Sequence, residues 1–292
     1  MDISVIIVSY NCAEVIAPCL LSVLAAQEGN SEIFVVDNNS TDGTVTLVRE
    51  GFPSVYLLPN EKNIGFGAAN NQVLQNCLGR YIFFLNPDTE IPSGIFSCVT
   101  EYMDAHPEVG LAGLRIINPD GSHQESVSYR YPGEKYSRGE LGVLGGTIAC
   151  VLGAGMIART NLIRDLGGFD ENFFLYGEDQ DLCLRIRKRG FLIGYIEDTC
   201  IVHVGGHSER STPSKILWQK KILAENIFYR KYYRPDTIWR IKCSELIKAL
   251  WRLATLCLTV HFALDRAREH AKRDKYRLIR EDCLAFFKKS SM

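Results

Sequence analysis

The sequence lacks the patterns that define several common classes of protein. Its ten cysteines are scattered singly, without a Cys-x-x-Cys pair, which argues against a zinc site of the usual spacing and fits a reducing compartment. Residues 1–8 enter a strand-like run without the positively charged start of a secretory signal. The longest uncharged, mostly apolar stretch near the C-terminus, residues 253–264, is too short to cross a bilayer. These absences predict a cytoplasmic protein.

No internal repeat is evident either, and the 292 residues, 46% of them hydrophobic, suffice for a sizeable core. The net charge of −1 conceals a division along the chain. Residues 1–213 carry a net charge of −12, whereas residues 214–292 hold 19 Lys and Arg against 8 Asp and Glu, or +11. We therefore expect one large domain over residues 1–213 and a basic extension over residues 214–292 that meets an anionic surface.

The basic extension has the apolar spacing of helices. Ile216, Leu223 and Ile227 lie on one helical face, and residues 236–292 indicate two or more further helices. Three aromatic residues stand in the basic background: Trp239, Trp251 and Phe262. Ordinary packing helices and a membrane-interface surface both fit this pattern. Nucleic acid is not an expected partner, because no helix-turn-helix, zinc-finger or RNA-recognition signature is present.

Three apolar, β-rich runs mark the N-terminal half, at residues 3–8, 33–36 and 81–85. Their near-continuous hydrophobicity is typical of strands that are covered on both faces. Helical stretches separate them, and the candidates are residues 13–26, 44–49 and 67–76. This alternation predicts an α/β fold, with a doubly wound, mostly parallel sheet and helices on both faces.

Polar residues follow each of these runs, at residues 9–11, 37–43 and 86–88. Each segment alone is more typical of a helix cap or a turn. Because ligands bind beyond the carboxyl ends of the strands in open α/β sheets, the three segments together predict a binding site at one edge. The loop-rich stretch 116–146 contains a strong turn at residues 118–121, and its glycines at 139, 142, 145 and 146 suggest a mobile cover for that site.

Several side chains at this edge suit a metal and a diphosphate. Asp88 can bind a divalent cation through oxygen, and Asn86 can offer a neutral carbonyl oxygen beside it. Asp37 can accept a hydrogen bond from a ring N–H or a sugar hydroxyl. Gly153 and Gly155 let the backbone approach a substrate closely.

His203 is a further candidate ligand. A lone histidine on a strand is more often a packed core residue, but Gly205, Gly206 and His207 follow this one closely and favour a ligand.

Residues 178–189 read as a helix, with acids in the first turn, bases in the last and Gly190 as the stop. Asp179 falls on the apolar stripe formed by Leu182, Cys183 and Ile186. Asp181 falls on the opposite side, where we expect it to pair with Arg185 and stay solvated. A carboxylate on a buried face is costly without partners or chemistry, so Asp179 is a candidate base. The alternative is that all three acids only complement the helix dipole.

Taken in order, these segments resemble glycosyltransferase family 2 on the GT-A fold over roughly residues 1–210, most closely its bacterial rhamnosyltransferase-like members. The matching segments are Val8-Ser9-Tyr10-Asn11, Val36-Asp37-Asn38-Asn39-Ser40-Thr41-Asp42-Gly43, Asn63-Ile64-Gly65-Phe66-Gly67 with Asn70, Phe84-Leu85-Asn86-Pro87-Asp88, Gly153-Ala154-Gly155, Gly167-Gly168-Phe169-Asp170, Gly177-Glu178-Asp179 and His203. One departure is Asn86, which stands where the family pattern often has an aspartate.

The resemblance implies roles for these residues. Asp88, with His203 as a further ligand, would hold Mg²⁺ or Mn²⁺ on the donor diphosphate, and Asp179 would be the general base of an inverting sugar transfer. Ser9, Tyr10 and Asp37 would hold the nucleoside. The full set of implied substrate-binding residues is Ser9, Tyr10, Asn11, Asp37, Asn39, Asn63, Gly65, Phe66, Asn70, Asn86, Gly153, Gly155 and Glu178.

The resemblance also implies partners and a location. The expected donor is a nucleotide-diphosphate sugar, with dTDP-rhamnose favoured, and the expected acceptor is a saccharide or a polyprenyl-diphosphate-linked saccharide. The protein would then work in the cytoplasm, peripherally on the inner face of the plasma membrane, in cell-surface polysaccharide synthesis.

Two other functions stay open at this point. A nucleotidyltransferase or a nucleotide-dependent oxidoreductase could use a similar sheet, but the segment from Gly65 to Asn70 lacks the third glycine of a dinucleotide fingerprint. A non-catalytic module that binds carbohydrate or lipid carrier would fit Asn86. The joint presence of Asp88, Asp179 and His203 argues against that module.

Overall fold

The described residues form two compact units. The computed structural model describes residues 1–27, 31–205, 213–259 and 266–290. We call the first unit, Met1–Tyr131 with Leu144–Ser208, the sheet unit, and the second, Pro132–Val143 with Glu209–Met292, the helical unit. The loop 132–143 therefore groups with the C-terminal helices, although it lies far from them in sequence.

The sheet unit alternates strands and helices, as the apolar runs predict. Its described strands are β1 Ile3–Ser9, β2 Ser31–Asp37, β3 Tyr56–Pro59, β4 Tyr81–Leu85, β5 Thr89–Glu90, β6 Val109–Ile117, β7 His123–Gln124, β8 Val127–Ser128, β9 Cys150–Val151, β10 Gly155–Arg159 and β11 Leu192–His203. Its described helices are α1 Ile16–Ala25, α2 Thr44–Gly51, α3 Phe66–Asn71, α4 Ile95–Ala105, α5 Thr160–Asp165 and α6 Glu178–Lys188.

The central sheet is mixed but mostly parallel. Among the described residues its strand order is β3-β2-β1-β4-β10-β6-β11-β5, with β7 paired to β6. Parallel pairing joins β1 to β2 and to β4, with Ser9 opposite Asp37 and Ile7 opposite Leu85. The predicted convergence of the three strand ends at one edge is therefore confirmed. Strand β10 runs antiparallel between β4 and β6, with Gly155 opposite Leu85.

The burial of these elements explains why they form. Every residue of β1 and β4 is buried, as expected for strands covered on both faces. Helix α1 buries Ile16, Cys19, Leu20 and Val23, which recur at helical spacing. It begins three residues later than its apolar pattern predicts, because Cys12 O accepts bonds from both Val15 and Ile16 in a preceding turn.

Strand β11 carries an irregularity that shapes its end. Ile196 pairs with Leu114 and Cys200 with Arg115, so residues 197–199 have no partners on β6. Such a bulge changes the direction of a strand. Beyond it the pairing resumes, and His203 comes to lie opposite Thr89 of the short antiparallel strand β5.

The helical unit consists of α7 Ser214–Tyr232, α8 Pro235–Thr259 and α9 Arg266–Ser290. A buried ammonium links two of these helices, since Lys242 Nζ lies 2.8 Å from both Glu245 Oε2 and Asp282 Oδ2. The loop 132–143 packs on α7 and α8, where Tyr233 Oη donates to Pro132 O at 2.7 Å. Within the described stretches, none of the helices is both long and apolar enough to cross a membrane.

Candidate functional site

Asp88 and His203 face each other where β5 pairs with β11. His203 Nε2 lies 3.2 Å from Asp88 Oδ1, and both side chains are buried. The amide nitrogen Nδ2 of Asn86 lies 3.4 Å from the same ring nitrogen. The backbone holds the pair in place, because Val204 N donates to Asp88 O at 3.0 Å. The structure brings these three residues together, although Asn86 presents its amide nitrogen to His203 and not the predicted carbonyl oxygen. Their role as cation ligands stays a prediction, and His207 lies outside the described residues.

This arrangement fits a divalent cation. Two neighbouring ligands in an octahedral shell with bonds near 2.0–2.1 Å stand roughly 3 Å apart, which matches the spacing of Asp88 Oδ1 and His203 Nε2. Carboxylate and imidazole are suitable ligands for Mn²⁺, and the remaining positions suit diphosphate oxygens and water. Asn86 contributes no charge, so Asp88 is the one anionic ligand among these three residues. The donor diphosphate would supply the other negatively charged oxygen ligands.

A second cluster of metal-type ligands lies in the helical unit, at Glu245, Asp282 and Cys283. The ammonium of Lys242 lies 2.8 Å from both of its carboxylates. An internal cation already balances this cluster, so it is a structural ion network.

Asp179 lies next to the glycine segment that precedes β10. Its carboxylate accepts hydrogen bonds from the N–H groups of Gln180, at 2.7 Å, and of Gly153. The next residue, Ala154, accepts a 3.0 Å bond from Asn86 N. A continuous set of contacts therefore connects the candidate base with the strand end that carries Asp88.

Asp179 is half-buried, and not fully covered as its predicted place on the apolar stripe requires, whereas Glu178 and Asp181 are buried. Desolvation still raises the pKa of Asp179 above the ordinary value of 3.8, although backbone N–H groups, among them those of Gln180 and Gly153, lower it. Burial, followed by the negative charge of Asp179, raises the pKa of Glu178 to about 8. Glu178 Oε2 is buried and finds no hydrogen-bond partner in the described parts of the chain. The charge of Asp179 favours the protonated form of Glu178, which leaves Asp179 as the candidate proton acceptor of the pair.

The expectation that Asp181 stays solvated is wrong. Its side chain is 0% exposed, and it accepts a 2.7 Å bond from Arg185 Nε. Arg185 also donates to the carbonyls of Leu166 and Gly168. Helix α6 is buried on several sides, so its apolar stripe marks only part of the covered surface. The predicted pairing of Asp181 with Arg185 is confirmed, but it is a buried anchor for the loop before α6.

The ends of β1 and β2 form a tightly bonded corner. Asp37 is buried and accepts bonds from Ser9 Oγ at 2.8 Å, Ser40 N at 2.8 Å and Ser40 Oγ at 2.6 Å. Asn11 and Asn39 adopt φ values of 48° and 67° in the left-handed region. Tyr10 and Asn39 are exposed and open to a ligand. The structure brings this predicted nucleoside set together, and it shows that Asp37 also organises the corner.

The segment from Asn63 to Asn70 is held against this corner. Asn38 Nδ2 donates to Gly65 O at 3.1 Å, and Asn63 Oδ1 accepts from Gly65 N at 3.0 Å. A Cβ atom on Gly65 would lie 2.5 Å from Phe174 O, so close packing excludes a side chain there. Phe66 N donates to the same carbonyl, and Asn70 is buried with Nδ2 bonded to Phe66 O. Gly65 is therefore required by close packing against Phe174, and its substrate role stays a prediction.

Three further glycines make packing or hydrogen-bonding contacts. A Cβ atom on Gly155 would clash with Ile201 Cδ1, so Gly155 allows β10 to pack, and its substrate role stays a prediction. The carbonyls of Gly145 and Gly146 accept bonds from the buried guanidinium of Arg187 on α6. The stretch 116–146 is thus not one loop, because Gly145 and Gly146 are bound to α6 and residues 132–143 group with the helical unit.

Sequence reasoning missed three residues at this site: Asn38, Phe174 and Gln124. Gln124 Oε1 lies 3.2 Å from His203 Nδ1. Asn38 could have been suspected from its place in the polar segment after β2. Phe174 and Gln124 lie far in sequence from their partners, and no local pattern marks them.

Comparison with known proteins gives consistent results. The profile of Glycosyl transferase family 2 matches residues 4–167. The N-acetylglucosaminyl-diphospho-decaprenol L-rhamnosyltransferase of Mycobacterium tuberculosis is 28% identical over 251 residues, or 73% of this chain and 79% of that protein. The mannosyltransferase PcManGT from Pyrobaculum calidifontis, in complex with GDP-Man and Mn²⁺, superposes with a TM-score of 0.57 at 20% identity, over 96% of this chain and 86% of that one. S. aureus TarS in complex with UDP-GlcNAc gives 0.54 at 19% identity, over 96% and 91%. The structural likenesses confirm the predicted GT-A fold.

The buried pair on α6 yields a first prediction. We expect Asp181→Ala to lower the free energy of unfolding by about 3 kcal/mol, near the lower limit for breaking a buried ion pair, because Arg185 keeps its two carbonyl acceptors. Urea unfolding followed by circular dichroism measures the change. The matched control is Asp198→Ala, at an exposed position of the β11 bulge, with an expected effect within about 0.5 kcal/mol. Equal effects of the two substitutions would contradict the anchoring role of Asp181.

Proposed function

The chain belongs to glycosyl transferase family 2 and is a glycosyltransferase, and from that premise we propose an inverting, metal-assisted transfer of rhamnose from dTDP-rhamnose to a lipid-linked saccharide. The proposal depends on two hydrogen bonds made by adjacent residues. Gly153 N–H donates to the carboxylate of Asp179, and Ala154 O accepts from Asn86 N. Asn86 in turn lies beside the pair of Asp88 and His203. A base and an oxygen-and-imidazole cation site then lie along one edge of the sheet.

The donor would bind across the strand ends. Its nucleoside would lie against the β1–β2 corner, where Tyr10 and Asn39 are exposed, and its diphosphate would lie at Asp88 and His203. A divalent cation bound there would neutralise the charge that develops on the departing nucleoside diphosphate. Asp88 would supply the anionic ligand and His203 the neutral one.

Asp179 would act as the base for the acceptor. A hydroxyl of the acceptor attacks the anomeric carbon from the side opposite the leaving group, which inverts the configuration. As the new C–O bond forms, Asp179 takes the hydroxyl proton, a step that contributes roughly 10²–10⁴-fold. The N–H donors of Gly153 and Gln180 orient the carboxylate, and the raised pKa of Glu178 favours its protonated form beside it.

The proposed substrates are supported by the relatives. The mycobacterial relative is named for the transfer of L-rhamnose to an N-acetylglucosaminyl-diphospho-decaprenol acceptor. The superposed mannosyltransferase holds a nucleoside-diphosphate sugar with Mn²⁺. We infer a similar acceptor, a saccharide on a polyprenyl diphosphate, and a role in cell-surface polysaccharide synthesis.

The base assignment is tested by Asp179→Asn. We expect the rate of transfer to fall at least about 10²-fold while the donor dissociation constant stays within a few-fold, since the amide keeps the shape but cannot accept the proton. Protonation of Asp179 at low pH should abolish the base, so kcat/KM of the unmodified enzyme should decrease as the pH is lowered. Because burial raises the pKa of Asp179, this decrease should set in at a higher pH than protonation of an exposed aspartate would give. Asp198→Asn is the control and should retain activity. A fully active Asp179→Asn variant would exclude Asp179 as the base.

Donor and metal are tested together. The full chain is incubated with a panel of UDP-, GDP- and dTDP-sugars and a polyprenyl-diphosphate-linked N-acetylglucosamine, and the released nucleoside diphosphate is measured. We expect release from dTDP-rhamnose, its loss with EDTA and its recovery with Mn²⁺ or Mg²⁺. Release that resists chelation contradicts the metal, and preference for another sugar nucleotide contradicts the donor.

A lipid-linked acceptor requires access to a membrane, and helix α8 offers a suitable face. Four large apolar side chains recur on it at helical spacing and are more than half exposed: Trp239 at 53%, Ile247 at 69%, Leu250 at 51% and Trp251 at 59%. The exposed cations Lys248 and Arg252 lie beside this face on the same helix, and the whole segment 214–292 carries a net charge of +11. Two copies of so basic a surface repel each other, so an anionic membrane is the occupant that we propose.

Flotation with liposomes tests this face. The full chain should float with vesicles that contain anionic phospholipid, less so at high salt because screening weakens the charge attraction. The double substitution Ile247→Ser and Trp251→Ser should reduce flotation several-fold. Leu78→Ser removes a side chain of the sheet unit that is 71% exposed and serves as the control. Equal flotation of all three proteins would contradict a membrane role for α8.

A further inference from the structure

Gln124 is the residue behind His203. Its side-chain oxygen Oε1 lies 3.2 Å from Nδ1 of the imidazole, on the side away from Asp88. Gln124 and His203 lie on opposite sides of the end of β6. Gln124 pairs with Ile116 on one side, and Val202, the residue before His203, pairs with Ile117 on the other. The relation between them is therefore set by hydrogen-bonded strands.

The strong turn at residues 118–121 places Gln124 there. Asn118 N donates to Ser122 O at 2.8 Å, and Gly121 N donates to Asn118 O at 2.9 Å. This turn reverses the chain after β6 and returns it as β7, with His123 opposite Ile117. The side chains of a strand alternate between its faces, so a change of one residue in the turn would point Gln124 away from the imidazole.

The hydrogen-bonding groups around His203 are compatible with one neutral tautomer. An amide oxygen only accepts, so the contact with Gln124 Oε1 requires a hydrogen on Nδ1. An amide nitrogen only donates, so the contact with Asn86 Nδ2 requires a lone pair on Nε2. Two independent neighbours thus specify the same form, with Nδ1 protonated and Nε2 bare.

The bare Nε2 points at another acceptor, because Asp88 Oδ1 lies 3.2 Å away. Two lone pairs at this distance repel each other unless a positive group lies between them. A divalent cation satisfies both, and metal-bound histidines generally donate their second ring N–H to an oxygen of the protein.

We propose that Gln124 is a positioning residue, which holds His203 with Nε2 bare and aimed at the cation that Asp88 would share. The inference rests on the proposed function for the identity of that cation. It adds a residue that acts through His203 and does not itself touch the substrate.

The tautomer can be read directly by NMR with the diamagnetic ion Mg²⁺ present, so that a cation lies between the bare Nε2 and Asp88. In the full chain with ¹⁵N-labelled histidine at alkaline pH, we expect ring nitrogen shifts that show protonated Nδ1 in His203. Gln124→Leu removes the acceptor and should move the population toward protonated Nε2. Gln124→Glu keeps an oxygen acceptor in place and should retain the wild-type tautomer.

Metal affinity gives a second measurement. Titration followed by the EPR signal of free Mn²⁺ should show affinity about 10–100-fold weaker in Gln124→Leu, the usual effect of losing such a contact, and wild-type or tighter affinity in Gln124→Glu. In a His203→Ala background, Gln124→Leu should have no additional effect. His123→Gln, at an exposed position of the same strand, is the control and should bind Mn²⁺ like the wild type.

The outcomes separate the two proposals. An unchanged tautomer and unchanged Mn²⁺ affinity in Gln124→Leu would overturn the role of Gln124, and so would weakened affinity in Gln124→Glu with the tautomer intact. If Gln124→Leu fails to fold, the Gln124→Glu result alone decides. A wild-type protein that binds no Mn²⁺, while its tautomer still follows Gln124, overturns the cation of the proposed function and leaves the positioning of His203 standing.

Discussion

The antiparallel insertion of β10 between β4 and β6 is the constraint on which the candidate site depends. Because β10 starts where β4 ends, Asn86 N can donate to Ala154 O, and the residues before β10 are brought to the carboxyl edge of the sheet. Gly153 then reaches Asp179 on α6, which is distant in sequence from the Asn86–Asp88 segment. A fully parallel strand at this position would place its start at the opposite edge and separate the base from the cation ligands.

Three acids in the first turn of α6 have three different environments. Asp181 is neutralised by Arg185, a buried pair that fixes the preceding loop. Asp179 accepts hydrogen bonds from backbone N–H groups, and desolvation raises its pKa. Burial, and after it the charge of Asp179, raises the pKa of Glu178 and favours its neutral form. A short helical segment can therefore combine an anchor, a base and a neutral acid, since each side chain points in a different direction.

Much of the fold could be predicted from the sequence because its signals are local. The continuous apolar runs at residues 3–8, 33–36 and 81–85 indicated buried parallel strands, and the polar residues after them marked the ligand edge. Motif order identified the family, and both the profile match and the superpositions agree with it. The apolar spacing of residues 178–189 correctly predicts the helix α6. It does not predict the burial of Asp181, because burial depends on which distant segments pack against the helix.

The sequence by itself determined the class of the sheet, the family and the chemical types available at the strand ends, since these follow from hydrophobic period and residue identity. Only the tertiary structure decided which of those residues meet. The contacts of Gln124 with His203, of Asn38 with Gly65 and of Gly153 with Asp179 join positions 79, 27 and 26 residues apart. Such contacts arise from strand order and register, which are settled by pairing between distant segments and leave no periodic trace along the chain.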